Sequence, residues 1–111
     1  MTNDEYYAKA FVFIIVNPSE FRPGFADWLW LNIDIQRAFD AEAIAVAVSG
    51  RAHYSAYTIA EYLRHHTNLK SKGTNDYKLP NNWRSNMVRM FAFMYPQYEY
   101  LFQFNELKNH G

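Results

Sequence analysis

The chain has 111 residues and no cysteine, and its eleven Lys/Arg balance its eleven Asp/Glu, for a formal net charge of zero. The length fits one domain, and a composition that is 50% hydrophobic and 19% aromatic is enough for a core. The lack of cysteine excludes disulfides, thiolate catalysis and zinc sites with Cys ligands, and it fits a reducing compartment.

The first predicted element lies within residues 4–16, where two patterns compete. The run FVFIIV favours a strand through its β-branched and aromatic content, whereas DEYYAKA is typical of a helix start. Acidic residues precede the apolar run and no small-residue cleavage site follows it, so we predict neither a signal peptide nor a membrane span. We expect a strand or a short helix packed on the core, in a cytoplasmic protein.

The next segment, NPSEFRPG, is predicted to be a loop because its Asn-Pro and Pro-Gly pairs are turn signals. Three large apolar residues, Trp28, Trp30 and Leu31, follow within four positions. We expect all three to anchor the start of the helix that comes after them.

A long helix is predicted from about Ile33 to Ser49, with Asn32 or Asp34 capping its N-terminus. One face of it carries four apolar residues, namely Ile35, Phe39, Ala43 and Val46. Its second half, AIAVAV, is apolar nearly all round, which is typical of a buried central helix. Gly50 suits the left-handed position that ends a helix.

Another helix is predicted to begin near Ser55, whose hydroxyl can accept a hydrogen bond from a free amide of the first turn. Its inward stripe is expected to contain Ile59, Tyr62 and Leu63. The connection that follows, NLKSKGTNDYKLP, is polar and basic. A β-hairpin with its turn at residues 73–76 is one way to fold it.

The last predicted helix starts after the Asn-Asn pair at positions 81 and 82 and ends before Pro96. Its apolar residues recur at i, i+4, i+7, i+8 and i+11, and they are Trp83, Met87, Met90, Phe91 and Met94. Arg84 and Arg89 fall off this stripe and are expected to face outward. We expect the segment after Pro96 to close over the core.

A set of short motifs occurs in a fixed order: Gly50-Arg51, His53-Tyr54-Ser55-Ala56, Ile59/Glu61/Leu63/Arg64, Lys78-Leu79 with Asn81-Asn82, and Pro96 to Phe102. These motifs resemble a family of small phage and prophage proteins over roughly residues 27–107. The family usually has an aromatic residue at the position of His65 and Tyr-Ala-Arg at residues 87–89. The resemblance implies a phage or mobile-element origin and residues 1–26 as an extension packed on the core. It implies no catalytic residues.

Positive charge is concentrated in the second half of the chain. Residues 1–50 contain three Lys/Arg and seven Asp/Glu, whereas residues 51–111 contain eight and four. Such segregation is typical of a surface for an anionic partner, although small domains also scatter charge by chance. The candidate nucleic-acid contacts are Arg51, Arg64, Lys70, Lys72, Lys78, Asn82, Arg84, Asn86 and Arg89. In this hypothesis the cations contact phosphates, and the side chains that open the last helix reach base edges.

Metal and enzyme chemistry find little support in the sequence. The adjacent His65 and His66 point about 100° apart on a helix, which makes them a poor chelating pair. Glu61 and His65, four residues apart, are more simply a helix-stabilising pair. No catalytic triad spacing, phosphate-binding glycine loop or paired-carboxylate motif occurs, so we predict no metal, no cofactor and no enzyme activity.

Together these patterns predict a mostly α domain that resembles helix-turn-helix or winged-helix architecture. The first functional hypothesis is a non-enzymatic phage-type protein that binds DNA or RNA through the last helix and the basic segment before it. The alternative is a phage-encoded inhibitor that binds a host defence protein complex, such as a CRISPR effector or a restriction enzyme. In the alternative, the acidic first half or the Tyr and Trp side chains make the contacts.

Overall fold

The structure is a computed structural model that describes residues 1–50, 55–66 and 81–102, with the backbone alone at positions 81 and 82. These residues form helices α1 (Asn3–Val16), α2 (Phe25–Leu31), α3 (Ile33–Val48), α4 (Ala56–His66) and α5 (Asn81–Met94), with 3-10 turns at Pro18–Glu20 and Pro96–Leu101. The prediction of a mostly α fold is confirmed. The hairpin predicted at residues 73–76 lies outside the described residues. None of the described helices is long and apolar enough to cross a membrane.

The N-terminal segment is a helix, and the alternative prediction of a strand is wrong. A capping box begins α1: the Thr2 hydroxyl accepts from the Glu5 amide at 3.1 Å, and the Glu5 carboxylate accepts from the Thr2 amide at 2.7 Å. These bonds satisfy two amide groups that a helix start leaves free. Tyr6 and Ala10, four residues apart, are fully buried. Capping and burial at helical spacing therefore outweigh the strand preference of FVFIIV.

Helix α2 starts directly after Gly24, whose φ of 93° lies in the left-handed region that glycine tolerates best. Trp28 is buried and lies 6.1 Å from the ring of Trp83. Trp30 and Leu31, in contrast, are 59% and 50% exposed. The prediction that all three residues anchor the next helix therefore holds for Trp28 alone.

Helix α3 is the buried centre of the fold, as its sequence predicts. The residues of its predicted inward face are all buried: Ile35, Phe39, Ala43 and Val46. Gly50 follows its C-terminus with a φ of 92°, which confirms the expected left-handed residue. Asn32 occupies the N-cap position as predicted, but its side chain makes no capping hydrogen bond, because its amide donates to the Trp28 carbonyl at 2.9 Å.

Helix α4 packs on α3 with Ile59 and Leu63 buried. The Ser55 hydroxyl accepts from the Tyr57 amide at 3.1 Å, as expected for the start of this helix. Tyr62 was predicted to face inward, but it is 45% exposed and stacks on His66 with ring centroids 4.4 Å apart. Tyr62 lies one position before the buried Leu63 and therefore falls outside the buried stripe.

Helix α5 and the turn after it complete the core. The predicted stripe is confirmed by four buried residues, Met87, Met90, Phe91 and Met94, and by Trp83, which is half-buried against them. Phe102 is buried after the Pro96–Leu101 turn and lies 5.7 Å from the rings of both Phe39 and Phe91. The segment after Pro96 thus closes over the core as expected.

Candidate functional site

The structure describes the side chains of four of the nine residues proposed to contact nucleic acid. Arg51, Lys70, Lys72, Lys78 and the side chain of Asn82 lie outside the described residues. The four that are described are Arg64, Arg84, Asn86 and Arg89. Their positions decide whether this part of the chain presents one cationic surface.

Asn86 cannot reach a base edge, because its side chain is fully buried. Its carbonyl oxygen accepts a hydrogen bond from the backbone amide of Arg22 at 2.8 Å. This bond joins α5 to the loop before α2. The helical spacing contains a signal for this role, since Asn86 lies three residues after Trp83 and four before Met90, on the buried side of the helix.

The described arginines turn toward different elements. The Arg84 guanidinium lies 5.3 Å from the ring centroid of Tyr57 on α4. Arg89 donates from Nη1 to the backbone carbonyl of Glu20 at 3.1 Å, on the opposite side of α5. At about 100° per residue, the five steps from Arg84 to Arg89 leave their side chains about 140° apart around the helix, which accounts for the divergence.

Arg64 pairs with a carboxylate of its own helix. Its Nη1 lies 3.8 Å from the carboxylate of Glu61, one turn earlier on α4. Arg89 lines a shallow cavity of about 160 Å³, whose other lining residues are Glu20, Ala92, Phe93 and Glu99. Glu20 and Glu99 therefore share the lining of this cavity with Arg89. Arg84 and Arg89, the two described arginines of α5, therefore do not contribute to one common patch.

A different surface, formed by α1 and α2, stands out. Its large apolar side chains are between 41% and 68% exposed, and they are Phe11, Val12, Ile15, Val16, Trp30 and Leu31. We call these six residues, together with Tyr7, the α1–α2 surface. Residues four apart on a helix lie one above the other, so Phe11 stands beside Ile15 and Val12 beside Val16.

Tyr7 joins the two helices of this surface. Its ring centroid lies 5.9 Å from that of Phe11 and 5.0 Å from that of Trp30, and the Tyr7–Trp30 pair meets edge to face. Its hydroxyl donates to the Ala26 carbonyl on α2 at 2.9 Å. The three aromatic side chains therefore form one continuous strip across α1 and α2. Such packing fixes their positions in the absence of any partner.

Acidic side chains border the α1–α2 surface. Asp27 is exposed on α2, three residues before Trp30 and four before Leu31, which places it between them on the helix. Burial and the nearby negative charge of Asp27 raise the pKa of Tyr7. Asp4 and Glu5 are exposed in the first turn of α1, two turns before Phe11 and Val12, and Lys9 is the cation of this helix.

The inward side of α1 carries a buried polar cluster that the sequence did not reveal. The Tyr6 hydroxyl donates to Oδ2 of Asp40, and Nε2 of Gln36 donates to Oδ1 of Asp40 at 2.9 Å. The same Gln36 nitrogen donates to the Met87 carbonyl at 3.2 Å. The cluster therefore ties α1, α3 and α5 together.

Burial sets the protonation of this cluster. It raises the pKa of Asp40 to about 7, and the hydrogen bonds from Tyr6 and Gln36 and the charge of Arg37 oppose the increase. Burial and the neighbouring Asp40 raise the pKa of Tyr6. Because Asp40 is only 2% exposed, the cluster has a structural position and offers no surface to a substrate.

No family model, no curated protein and no solved structure matches the chain. The described residues contain no group of three or more His, Asp or Glu side chains placed to hold a metal ion. The α1–α2 surface is accordingly interpreted from its own residues. The sequence signal for it was present but ambiguous, because a helix that is apolar on all sides is usually a buried one.

Proposed function

We propose that this chain is a non-enzymatic protein-binding module that docks its partner on the α1–α2 surface. The observation that carries the proposal is the exposure of six large apolar side chains on two adjoining helices. Large contiguous apolar patches are uncommon on the surfaces of proteins that act alone and often mark protein interfaces. Aromatic residues such as Trp30 and Phe11 are also enriched among the residues that dominate binding energy.

The energetics favour a protein partner. Burying an exposed apolar side chain is worth about 25 cal/mol for each Å² removed from water, and a Val, Leu or Phe gains about 1.5–3 kcal/mol when it is covered completely. The strip of Tyr7, Phe11 and Trp30 is already ordered by its own contacts. Little side-chain freedom is therefore lost when a partner covers the strip, which favours tight binding.

Nucleic-acid binding, the first hypothesis from the sequence, has less support. Asn86 is buried, and Arg84 and Arg89 reach different elements. The acidic border of the α1–α2 surface would repel phosphates. The resemblance to helix-turn-helix architecture remains a prediction, because residues 67–80, which join α4 and α5, lie outside the described residues.

The class of partner follows from the alternative hypothesis. A host defence protein complex is the target that the resemblance to phage proteins implies, and an apolar surface with an acidic border suits an inhibitor that occupies a site normally used by nucleic acid. We propose this class of target together with the protein-binding function.

Site-specific photo-crosslinking in cells that express the chain tests the proposal. A crosslinking amino acid replaces Val12 in one form and Val48 in another. Val48 is 69% exposed and ends α3, just as Val16 is 68% exposed and ends α1. We expect one protein to crosslink from position 12, to be absent from position 48, and to be lost with Val16→Glu but kept with Val48→Glu.

Two results contradict the proposal. Equal crosslinking from positions 12 and 48, or none from position 12, removes the α1–α2 surface as the docking site. The second contradicting result comes from gel-shift experiments with DNA or RNA at low salt. If such a shift occurs and disappears with Arg84→Ala and Arg89→Ala together, the nucleic-acid hypothesis replaces this one. We expect no shift.

A further inference from the structure

We infer that the partner's contacting segment is cationic as well as apolar, with an arginine or lysine seated between Asp27 and Trp30. This inference rests on the proposed function, because it names the chemistry of the partner that the α1–α2 surface accepts. The occupant is a basic amphipathic segment of a protein: its apolar side chains cover α1, and its positive side chain meets α2.

The geometry at Asp27 points to a cation. Its carboxylate is exposed one helical turn from the exposed Trp30 ring and close enough to Tyr7 to raise that hydroxyl's pKa. A guanidinium group can lie over an indole face while it donates hydrogen bonds to a carboxylate. Leu31 lies on the other side of Asp27 and can cover the methylene stem of the same side chain.

The charges around the surface extend this preference. Asp4 and Glu5 lie on the outward side of α1, two turns before Phe11 and Val12. Together with Asp27 they make three carboxylates, which Lys9 and the N-terminal ammonium offset only in part. Hydrogen bonds from Thr2 lower the pKa of Glu5, which keeps its carboxylate ionised. Complementary charge speeds the encounter of two proteins and suppresses wrong partners. A partner with a basic border therefore fits this surface best.

The same charges disfavour two other occupants. In a symmetric dimer of this chain, the α1–α2 surface would face its own copy, and the carboxylates of Asp4, Glu5 and Asp27 would approach one another. An anionic membrane carries lipid headgroups of the same sign as these carboxylates. Self-association and membrane binding are therefore outcomes that the experiment must be able to detect.

The test uses two synthetic amphipathic peptides of about 18 residues, a length that supports helix formation. Both peptides carry Leu on one helical face. The charged positions on the other face are all Arg in one peptide and all Glu in the other. Binding to the full chain is measured by fluorescence anisotropy at low and at physiological salt. We expect the Arg peptide to bind at least about tenfold more tightly than the Glu peptide, with a preference that shrinks as salt screens the charges.

Two charge-reversal variants, Asp27→Lys and the matched Glu99→Lys, test whether the preference for the Arg peptide depends on Asp27. Glu99 is exposed on the turn after α5, where it lines a cavity with Arg89 and Phe93, and its replacement changes the net charge of the chain equally. We expect Asp27→Lys to lower the affinity for the Arg peptide by about tenfold, because the substitution removes the carboxylate and puts a like charge beside Trp30. Glu99→Lys should change the affinity by less than about twofold, through long-range charge alone.

Several results overturn the inference. They are equal affinity for the two peptides, no binding of either, no effect of Asp27→Lys, and equal effects of Asp27→Lys and Glu99→Lys. Two further results also overturn the inference. If the chain self-associates in sedimentation experiments and Val16→Glu abolishes the association, the occupant of the surface is a second copy of the chain. If the chain binds neutral lipid vesicles and Val16→Glu abolishes the binding, the occupant is a membrane. Crosslinking of one protein from position 12 keeps the proposed function even if the peptides show no charge preference, so the two failures are distinguishable.

Discussion

The two sides of α1 have opposite chemistry. Its inward side places the hydroxyl of Tyr6 against the buried carboxylate of Asp40, while its outward side exposes Phe11 and Ile15 to solvent. The usual amphipathic helix has its polar groups outside and its apolar groups inside. In α1, the inward contacts hold the fold together and the outward contacts are left for a partner. Substitutions on the two sides should therefore separate stability from binding.

The largest expected effect comes from the inward side. Tyr6→Ala removes a fully buried ring and the hydrogen bond to Asp40. We expect the free energy of unfolding to fall by about 3–5 kcal/mol, as for other large-to-small core substitutions. Urea denaturation followed by circular dichroism measures it, with Tyr62→Ala as the control on an exposed tyrosine.

Tyr6→Phe refines this prediction. It keeps the ring but leaves one oxygen of the buried Asp40 carboxyl without its donor, for which we expect a cost of about 1–3 kcal/mol. If Tyr6→Ala costs no more than Tyr62→Ala, the inward contact of α1 does not hold the fold together, and the comparison between the two sides fails.

A second prediction concerns pH. Burial raises the pKa of Asp40 from 3.8 to about 7, so the folded chain binds more protons than the unfolded chain between these values. The free energy of unfolding should therefore be highest below about pH 4 as far as Asp40 is concerned, and should decrease by up to a few kcal/mol as the pH rises through about 7. Asp40→Asn should flatten this part of the profile, because the amide does not titrate.

Urea midpoints measured between about pH 4 and pH 8 test this prediction, since midpoints follow stability when the slope of the transition is constant. The groups that act on Asp40 are Tyr6, Gln36, Arg37 and Tyr95, of which only Arg37 carries a charge in this range. An Asp40→Asn variant that keeps the slope of the parent chain over this pH range would show that Asp40 is not protonated in the folded state.

The smallest effect on stability is expected on the outward side. Ile15 is 59% exposed, so Ile15→Ser should change the free energy of unfolding by no more than about 0.5 kcal/mol. The same substitution should sharply reduce crosslinking from position 12 and binding of the Arg peptide. Loss of stability comparable to that of Tyr6→Phe would mean that the outward side supports the fold itself, which would contradict its assignment to a partner.

The comparison also explains which parts of the fold were predictable. The stripes of α3 and α5 are long and regular, and the residues predicted to lie on them are buried, with Trp83 half-buried. The stripes did not identify the buried polar residues Gln36, Asp40 and Asn86, and the stripe predicted for α4 wrongly included Tyr62. The strand alternative for α1 was wrong because it weighed a short β-branched run without the capping box formed by Thr2 and Glu5. Local propensity was overruled there by bonds at one end of the helix.

The functional surface was harder to predict for a physical reason. Exposure depends on how many neighbours pack against a helix, and nothing within Phe11–Val16 specifies that α1 is covered on one side only. The cations, in contrast, were easy to find in the sequence, but their directions were not. The five-residue spacing of Arg84 and Arg89 turns them to different sides of α5, but only the packing shows that these sides meet Tyr57 on α4 and the carbonyl of Glu20.

A methyl NMR titration tests the central claim most directly. The chain is labelled at its Ile, Leu and Val methyl groups, and the protein recovered by crosslinking from position 12 is added. We expect the methyl signals of Val12, Ile15 and Leu31 to shift and broaden. The methyl signals of Val48, which is equally apolar and exposed on α3, should stay in place. Shifts confined to Val48 or to the methyl groups of α4, with the α1–α2 signals unchanged, would contradict the central claim.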